Sequence, residues 1–315
     1  MGMTTAVVVL VALGLDALLG WPRWLYGLVG HPVSWIGGLV GRLDRWLNLA
    51  DARPEERRLA GAVAALAVTG LSVECALLIG WLMPEGWVGA LLTGVVAWPL
   101  IAMRSMHDHV VDVLAPLKAH DLERARLAVA RIVGRDVSVL DGAGVARASL
   151  ESLAENTSDG VVAPVFWGVV FGLPGIVGYK AINTLDSMIG HRSPKYEAFG
   201  WASARIDDLA NLVPARLTGL LFVMVSIRPR TALLAMWRDA GKHRSPNAGW
   251  PEAALAGALD VRLSGPRVYA GRMTDEPWVN GAAPDPQPQD IERGLGIYRM
   301  AMLALALVVA LCAFV

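Results

Sequence analysis

Residues 151–216 read ESLAENTSDGVVAPVFWGVVFGLPGIVGYKAINTLDSMIGHRSPKYEAFGWASARIDDLANLVPAR, and this stretch decides the fold. Three polar clusters are divided by apolar or glycine-rich segments. The first is Glu151, Glu155, Asn156 and Asp159. The second is Lys180, Asn183, Thr184, Asp186 and Ser187. The third is Arg205, Asp207, Asp208, Asn211 and Arg216. Carboxylates, amides and cations are costly to bury among hydrophobic residues unless they are paired or bound to a ligand. The stretch is therefore the expected active-site region, and the rest of the chain its support.

The surrounding composition says what kind of protein carries it. Of 315 residues, 55% are hydrophobic and 18% charged, with mean hydropathy +0.46. A soluble domain has roughly 25% charged residues, so an integral membrane protein is expected. The formal net charge of +0 gives no general attraction to nucleic acid, and no nucleic-acid partner is expected. Cys75 and Cys312 both lie in apolar runs and read as inert packing residues, without disulfide or metal spacing. The N-terminal run lacks a basic region and a cleavage site, so it reads as a retained membrane segment.

Apolar runs near 3–20, 59–82, 87–103, 161–179, 210–227 and 297–315 are the expected membrane segments. Met83-Pro84-Glu85-Gly86 turns the second into the third as a helical hairpin. Glu74, inside that hairpin, reads as paired within the bundle. Asp16 either snorkels to the interface or is functional. Val33, Ile36, Val40, Leu43 and Leu47 recur at helical spacing, making 31–48 an amphipathic helix with Trp35 and Trp46 suited to the membrane boundary. His31, at its start, is either a cap or a substrate contact.

Residues 104–150 are rich in charge and helix formers and predict amphipathic helices outside the membrane, one of them capped by Asp121. His107 and His109 are too close in sequence to share a helical face, which argues against a metal site there. Gly172, Pro174 and Gly175 interrupt 161–179, and broken segments are tolerated at membrane depth only near protein or a polar cavity. Residues 228–296 read as a polar loop region with a proline-rich surface loop at 274–290. The fold class is thus all-α: a polytopic helical bundle, one membrane-embedded domain over 1–315, with broken or re-entrant segments and cytoplasmic helices. Lys and Arg counts put the 83–86 turn outside and 42–58, 104–147 and 228–299 inside.

Glu151, Glu155 and Asp159 stand four residues apart, so on a helix they stack on one face. Such a row repels itself unless a cation lies between, and magnesium, which takes oxygen ligands and phosphates, is the natural candidate. Asn183 with Asp186, and Arg205, Asp208 and Asn211, repeat at three-residue spacing. Ion pairing that fixes helix packing accounts for Arg205 with Asp208 but not for the remaining acids and amides. Both signs of charge with amides and a metal suit phosphoryl chemistry. Lys242, Arg244, Ser245 and Asn247 precede a helix start marked by Pro251. They read as an anion pocket or as a solvated basic loop. Walker, dinucleotide-binding, HExxH and GxSxG motifs are all missing from the sequence. Spacing alone supports a membrane-embedded polar site and does not name a substrate.

At these residues the chain resembles the adenosylcobinamide-phosphate synthases, the CbiB/CobD family. ESLAENTSDGVVAPVFW, YKAINTLDSMIG, FGWASARIDDLANLVPARL and HRSPNAGWPEAALAGAL match its motifs in order and spacing, as does the early LDALLGWP…HPVSWIGGLVGRLD. Ile206, where leucine is usual, and Glu252-Ala253-Ala254, where methionine is common, are small departures. The resemblance implies a ligase of cobalamin synthesis in the cell inner membrane. It would join the propionate of adenosylcobyric acid to aminopropanol phosphate or a related amino-alcohol phosphate, with nucleotide hydrolysis as the driving force. Read onto this chain, magnesium would be held by Glu155, Asp159 and Asp186, with Glu151 beside them. Lys180, Arg205 and Arg216 would neutralise developing charge, and Asp207 or Asp208 would take a proton. Lys242, Arg244, Ser245 and Asn247 would hold the phosphate of the amine. Asn156, Asn183, Asn211 and His31 complete the expected substrate contacts. ATP is the expected co-substrate, the bilayer a partner, and other cobalamin-synthesis membrane proteins further partners. A corrin ring would also account for some of the twelve tryptophans.

Two other classes compete with a ligase. Intramembrane charges and broken helices also mark transporters, but no internal repeat is visible. A non-catalytic sensor or complex subunit related to the beta-lactamase-response membrane protein would be expected to lose ESLAEN and RIDD, and both are present.

Overall fold

The structure is a computed structural model that describes residues 2–191, 193–269 and 272–314. It is almost entirely helical. The first helices are α1 (Gly2–Leu19), α2 (Arg23–Val29), α3 (Pro32–Leu47), α4 (Pro54–Leu82) and α5 (Gly86–Ala97). A 3₁₀ turn at Trp98–Leu100 leads to α6 (Met103–Lys118), α7 (Leu122–Val129) and α8 (Gly142–Thr157). A π-helical turn at Ser158–Val162 joins α8 to α9 (Ala163–Phe171), followed by α10 (Leu173–Ile189), α11 (Trp201–Ala210) and α12 (Leu212–Val225). The chain ends with α13 (Pro229–Asp239), α14 (Gly249–Leu259) and α15 (Pro288–Cys312). Between the last two, β1 (Leu263–Ser264) pairs antiparallel with β4 (Trp278–Val279), and β2 (Arg267–Tyr269) with β3 (Arg272–Thr274).

Among the described residues, three helical stretches are long and apolar enough to cross a membrane: Pro54–Leu82, Gly86–Lys118 and Pro288–Cys312. The all-α membrane fold read from the sequence is therefore present. Crossing the hydrocarbon takes about 20 residues, and not every expected segment reaches that in one helix. The run at 161–179 breaks where Gly172 takes φ +67°, a conformation glycine adopts freely, and Pro174 starts α10. The run at 210–227 supplies only the 14 residues of α12. The first run turns sharply, by 116°, into α2, none of whose residues is buried.

The sequence reading treats the chain as one domain, whereas the coordinates divide into two compact units. The first contains Met1–Ala102, Ala163–Asn211 and Val308–Val315; the second contains Met103–Val162 and Leu212–Leu307. In the first unit, α1 packs on α5 and α9, and α4 packs on α3, α10 and α11. Its core joins Val40, Ala64, Ala65, Val68, Ala181, Leu185, Ile189 and Phe199. The approach of α4 is close enough that a Cβ on Gly61 would stand 1.8 Å from the Phe199 carbonyl oxygen.

The second unit is built around α14, buried on every side except at Trp250. This corrects the expectation of a polar loop region over 228–296. The stretch contains α13 and α14, and α14 is the central helix of its unit. The Ala/Gly-rich sequence EAALAGAL allows it, because small side chains let neighbouring helices approach. A Cβ on Gly257 would meet Ala235 Cβ at 2.6 Å and Ala232 Cα at 2.8 Å, and one on Gly219 would meet the Trp250 carbonyl oxygen at 3.1 Å. Elsewhere the expected cap holds: Asp121 accepts from Arg124 N at 3.1 Å. Asp141, read only as part of a turn, caps α8 by accepting from Gly144 N at 2.7 Å. Cys75 and Cys312 are a further correction: both are exposed, so neither packs inside the chain.

Candidate active site

In the first unit Asp186 of the second sequence cluster and Asp207 and Asp208 of the third come together across α10 and α11, which pack on each other. Asp207 is 9% exposed. Its Oδ2 accepts from Asn211 Nδ2 at 2.9 Å, and Asn211 Oδ1 accepts from Tyr179 Oη, also at 2.9 Å. Asp207 Oδ1 is buried and makes no hydrogen bond of regular geometry among the described residues, with the Asn183 side chain the neighbour that approaches the carboxylate. Burial pushes the Asp186 carboxyl above the usual carboxylate range; His191 works against this shift and Asp208 adds to it. Asp208 pairs with Arg205 at 3.0 Å, and the guanidinium is half exposed. Three carboxylates thus act on one another's charge. Asn183 lies half-buried on α10, and Lys180, one turn earlier, is buried.

His31 caps α3, with Nδ1 accepting from Val33 N at 3.3 Å. Burial, and then the charge of Lys180, hold its pKa below the ordinary histidine range. Its ring stands edge-on to Trp21, with centroids 5.3 Å apart.

The first cluster belongs to the second unit, and its acids do not form one row. Glu151 is 5% exposed; Oε2 takes a hydrogen bond from Arg135 at 2.8 Å, and Oε1 one from Ser264 N at 2.7 Å. A carboxylate held this way ties β1 to α8. Glu155, one turn on, is exposed. Asn156 turns back to Ser152, donating to its carbonyl oxygen at 2.9 Å. Asp159 falls in the π turn, where the helix widens ahead of Pro164. A proline cannot donate to the residue four before it and crowds that carbonyl, so the wider winding relieves both.

The SPNAGW segment also gathers expected residues. Arg216 lies over the Trp250 ring at 4.4 Å and donates to the Leu212 carbonyl at 2.6 Å. Trp250 Nε1 donates to the Pro246 carbonyl at 3.2 Å. Ser245 Oγ accepts from Asn247 N at 3.2 Å and Ala248 N at 3.3 Å, ordering the turn before α14. Asn247 is buried. Lys242 is engaged by Asp239 at 2.7 Å, which makes it a support of the segment more than an open cation. Arg244, its side chain largely exposed, reaches Glu276 at 3.7 Å.

Among the described residues no three His, Cys, Asp or Glu side chains stand together as a ready-made cation cage. The sequence reading missed Tyr179, which it counted as the end of an apolar run, and Arg135, which looked like one more surface arginine. Their roles rest on contacts 32 and 16 residues away, with no local signal.

A family model described as CobD/Cbib protein matches residues 9–298. A "Cobalamin biosynthesis protein CobD" from Rhodobacter capsulatus is 61% identical over 99% of this chain and 98% of its own length. Proteins of the same name from a Sinorhizobium species and from Brucella suis biovar 1 are 46% and 41% identical, covering 97% and 96% of both chains respectively. No solved structure matches.

Proposed function

Because the chain belongs to the CobD/Cbib family of cobalamin-biosynthesis proteins, we propose that it is the ligase joining adenosylcobyric acid to aminopropanol phosphate. The bond formed is an amide between the corrinoid's free propionate and the amine. A carboxylate is a poor acyl donor, so ATP transfers its terminal phosphoryl group to a propionate oxygen. The amine then attacks the acyl carbon, phosphate leaves, and the ammonium gives up a proton.

The observation that carries this reading is Asp207. It is a buried carboxylate with one oxygen fixed by Asn211 and the other in no hydrogen bond of regular geometry, in a cluster with Asp186 and Asp208. That second oxygen suits acceptance of the proton from the attacking amine. Asp208, drawn toward Arg205, is the weaker candidate. Lys180 and Arg205 would neutralise charge on the phosphoryl group. Arg216, Arg244 and the Ser245–Asn247 turn would hold the phosphate of the amine. Asn183 would supply a neutral amide for a corrin side chain, while Asn211, engaged by Asp207 and Tyr179, positions the carboxylate.

The acids present, all oxygen donors, fit magnesium that keeps most of its ligands as water and phosphate oxygens, which requires one or two carboxylates and no cage. In the first unit Asp186 would hold it, and it would supply neutralisation of the nucleotide phosphates. The arginine-rich flanks of the apolar hairpin support a site facing the cell interior in the cytoplasmic membrane.

The test is mass spectrometry after incubating the purified chain with adenosylcobyric acid, ATP, magnesium and aminopropanol phosphate. The amide product is expected. Turnover of ATP with no amide, or transport of a corrinoid into liposomes without conversion, overturns the reading.

A further inference from the structure

The 3₁₀ turn Trp98–Leu100 is packed by α1, α3, α5 and α10 of the first unit. Three aromatic rings meet there: Trp21 stands edge-on to Trp98, with centroids 5.5 Å apart, and to His31 on its other side. Trp98 is 8% exposed. The indole Nε1 atoms of both Trp21 and Trp98 are buried and have no hydrogen-bond partner among the described residues. An indole nitrogen only donates. A buried donor left unpaired is costly, and groups of this kind are rare enough to demand a reason. Two in one ring cluster demand it twice.

The neighbouring groups share the same preference. His31 Nδ1 already accepts from Val33 N, so the neutral ring carries its hydrogen on Nε2 and presents another donor. Lys180 is near enough to His31 to oppose a second positive charge there. Indole, imidazole and ammonium together favour an oxygen acceptor, above all a carboxylate, and the aromatic faces favour a flat apolar body beside it.

We infer that Trp21, Trp98 and His31 form a donor pocket for a carboxylate or amide oxygen of a large apolar ligand. That ligand is the corrinoid, an identification that rests on the ligase reading. In this assignment the two indoles are binding residues, distinct from the Asp186, Asp207 and Asp208 cluster that handles the proton.

The experiment uses the purified full chain in detergent and titrates adenosylcobyric acid alone, following quenching of tryptophan fluorescence. Trp98→Phe and Trp21→Phe keep an aromatic ring and remove the N–H. Each is expected to weaken binding about ten-fold, the effect of losing one hydrogen bond to a charged or strongly polar oxygen. Where Trp98→Phe fails to fold, benzothienylalanine at position 98 replaces the N–H by sulfur at nearly constant shape, and the same ten-fold loss is expected. Affinities within two-fold of the parent protein in the folded variants overturn the pocket, as does a parent protein that binds no adenosylcobyric acid. Weakened binding in a protein that makes no amide keeps the pocket and removes the ligase. Unchanged binding in variants that still make amide removes the pocket and keeps the ligase.

Discussion

Asn211 donates its side-chain N–H to Asp207 Oδ2 at 2.9 Å from four residues further along the chain, and so fixes the carboxylate plane. Tyr179, on α10, donates to the same amide and sets which way it faces. Since an amide held this way can only offer its nitrogen to Asp207, Oδ1 keeps one direction. Asp207→Asn should lower amide formation by at least a thousand-fold with the thermal unfolding curve unchanged. Tyr179→Phe should lower it about ten-fold, as expected for a group that acts through another. Equal activity in Asp207→Asn and the parent protein would remove Asp207 from the chemistry.

Asp208 provides the comparison. Its pair with Arg205 is an i,i+3 contact with a half-exposed guanidinium, and such pairs contribute about 0–1 kcal/mol. Asp208→Asn should therefore leave stability nearly unchanged and reduce turnover far less than Asp207→Asn. The opposite ranking, measured by product formed per minute, would reassign the base to Asp208.

Glu151 should behave as a structural residue. Both it and Arg135 are buried, and breaking a buried pair by removing one partner destabilises by about 3–5 kcal/mol. Glu151→Gln should lower the melting temperature clearly. Replacing Glu151 and Arg135 together by leucine should recover much of the loss. A variant that melts normally but is inactive would return Glu151 to the site.

Acid should loosen the second unit. Burial works to raise the Asp239 carboxyl, but Arg238, Lys242 and the Asn280 N–H outweigh it and bring the pKa to about 2. An unfolded aspartate titrates near about 3.9. The folded value is the lower one, so this group stabilises the fold above pH about 4, and the contribution fades as pH falls toward 2. Asp239→Asn should lower the melting temperature at pH 7 and flatten its decline between pH 4 and 2. A variant with the parent's slope would show that other carboxylates govern acid unfolding.

Gly61 tests the packing of α4. A methyl there would meet the Phe199 carbonyl oxygen at 1.8 Å. Gly61→Ala gains helix propensity of about 1 kcal/mol but forces the backbone apart, at about 1–3 kcal/mol or more. A lower melting temperature is expected; a raised one would show that the two segments separate freely.

Much of this was legible before any coordinates. Apolar runs around Pro54–Leu82 and Pro288–Cys312 announce membrane helices because length and hydropathy are local properties. The cap at Asp121 reaches only three residues. The three-residue spacing of Arg205 and Asp208 was enough to name that pair. Pro251 marked the start of α14, but flanking charges made 228–296 read as a polar loop region, and the helix's alanines and glycines, weak in hydropathic signal, reveal their central place only against α8, α12 and α13.

The sequence by itself determined the helical, membrane-embedded class and which polar residues lie in apolar company, since both depend on composition and on neighbours within a turn or two. Tertiary structure alone decided which of those residues are engaged and which stay open. Glu151 and Glu155 have the same side chain one turn apart, yet one is locked by Arg135 and Ser264 and the other is exposed. The buried Oδ1 of Asp207 and the buried indole N–H groups of Trp21 and Trp98 are likewise invisible in the chain's order. Whether a polar atom finds a partner depends on groups brought within about 3 Å from distant positions, and only packing sets those distances.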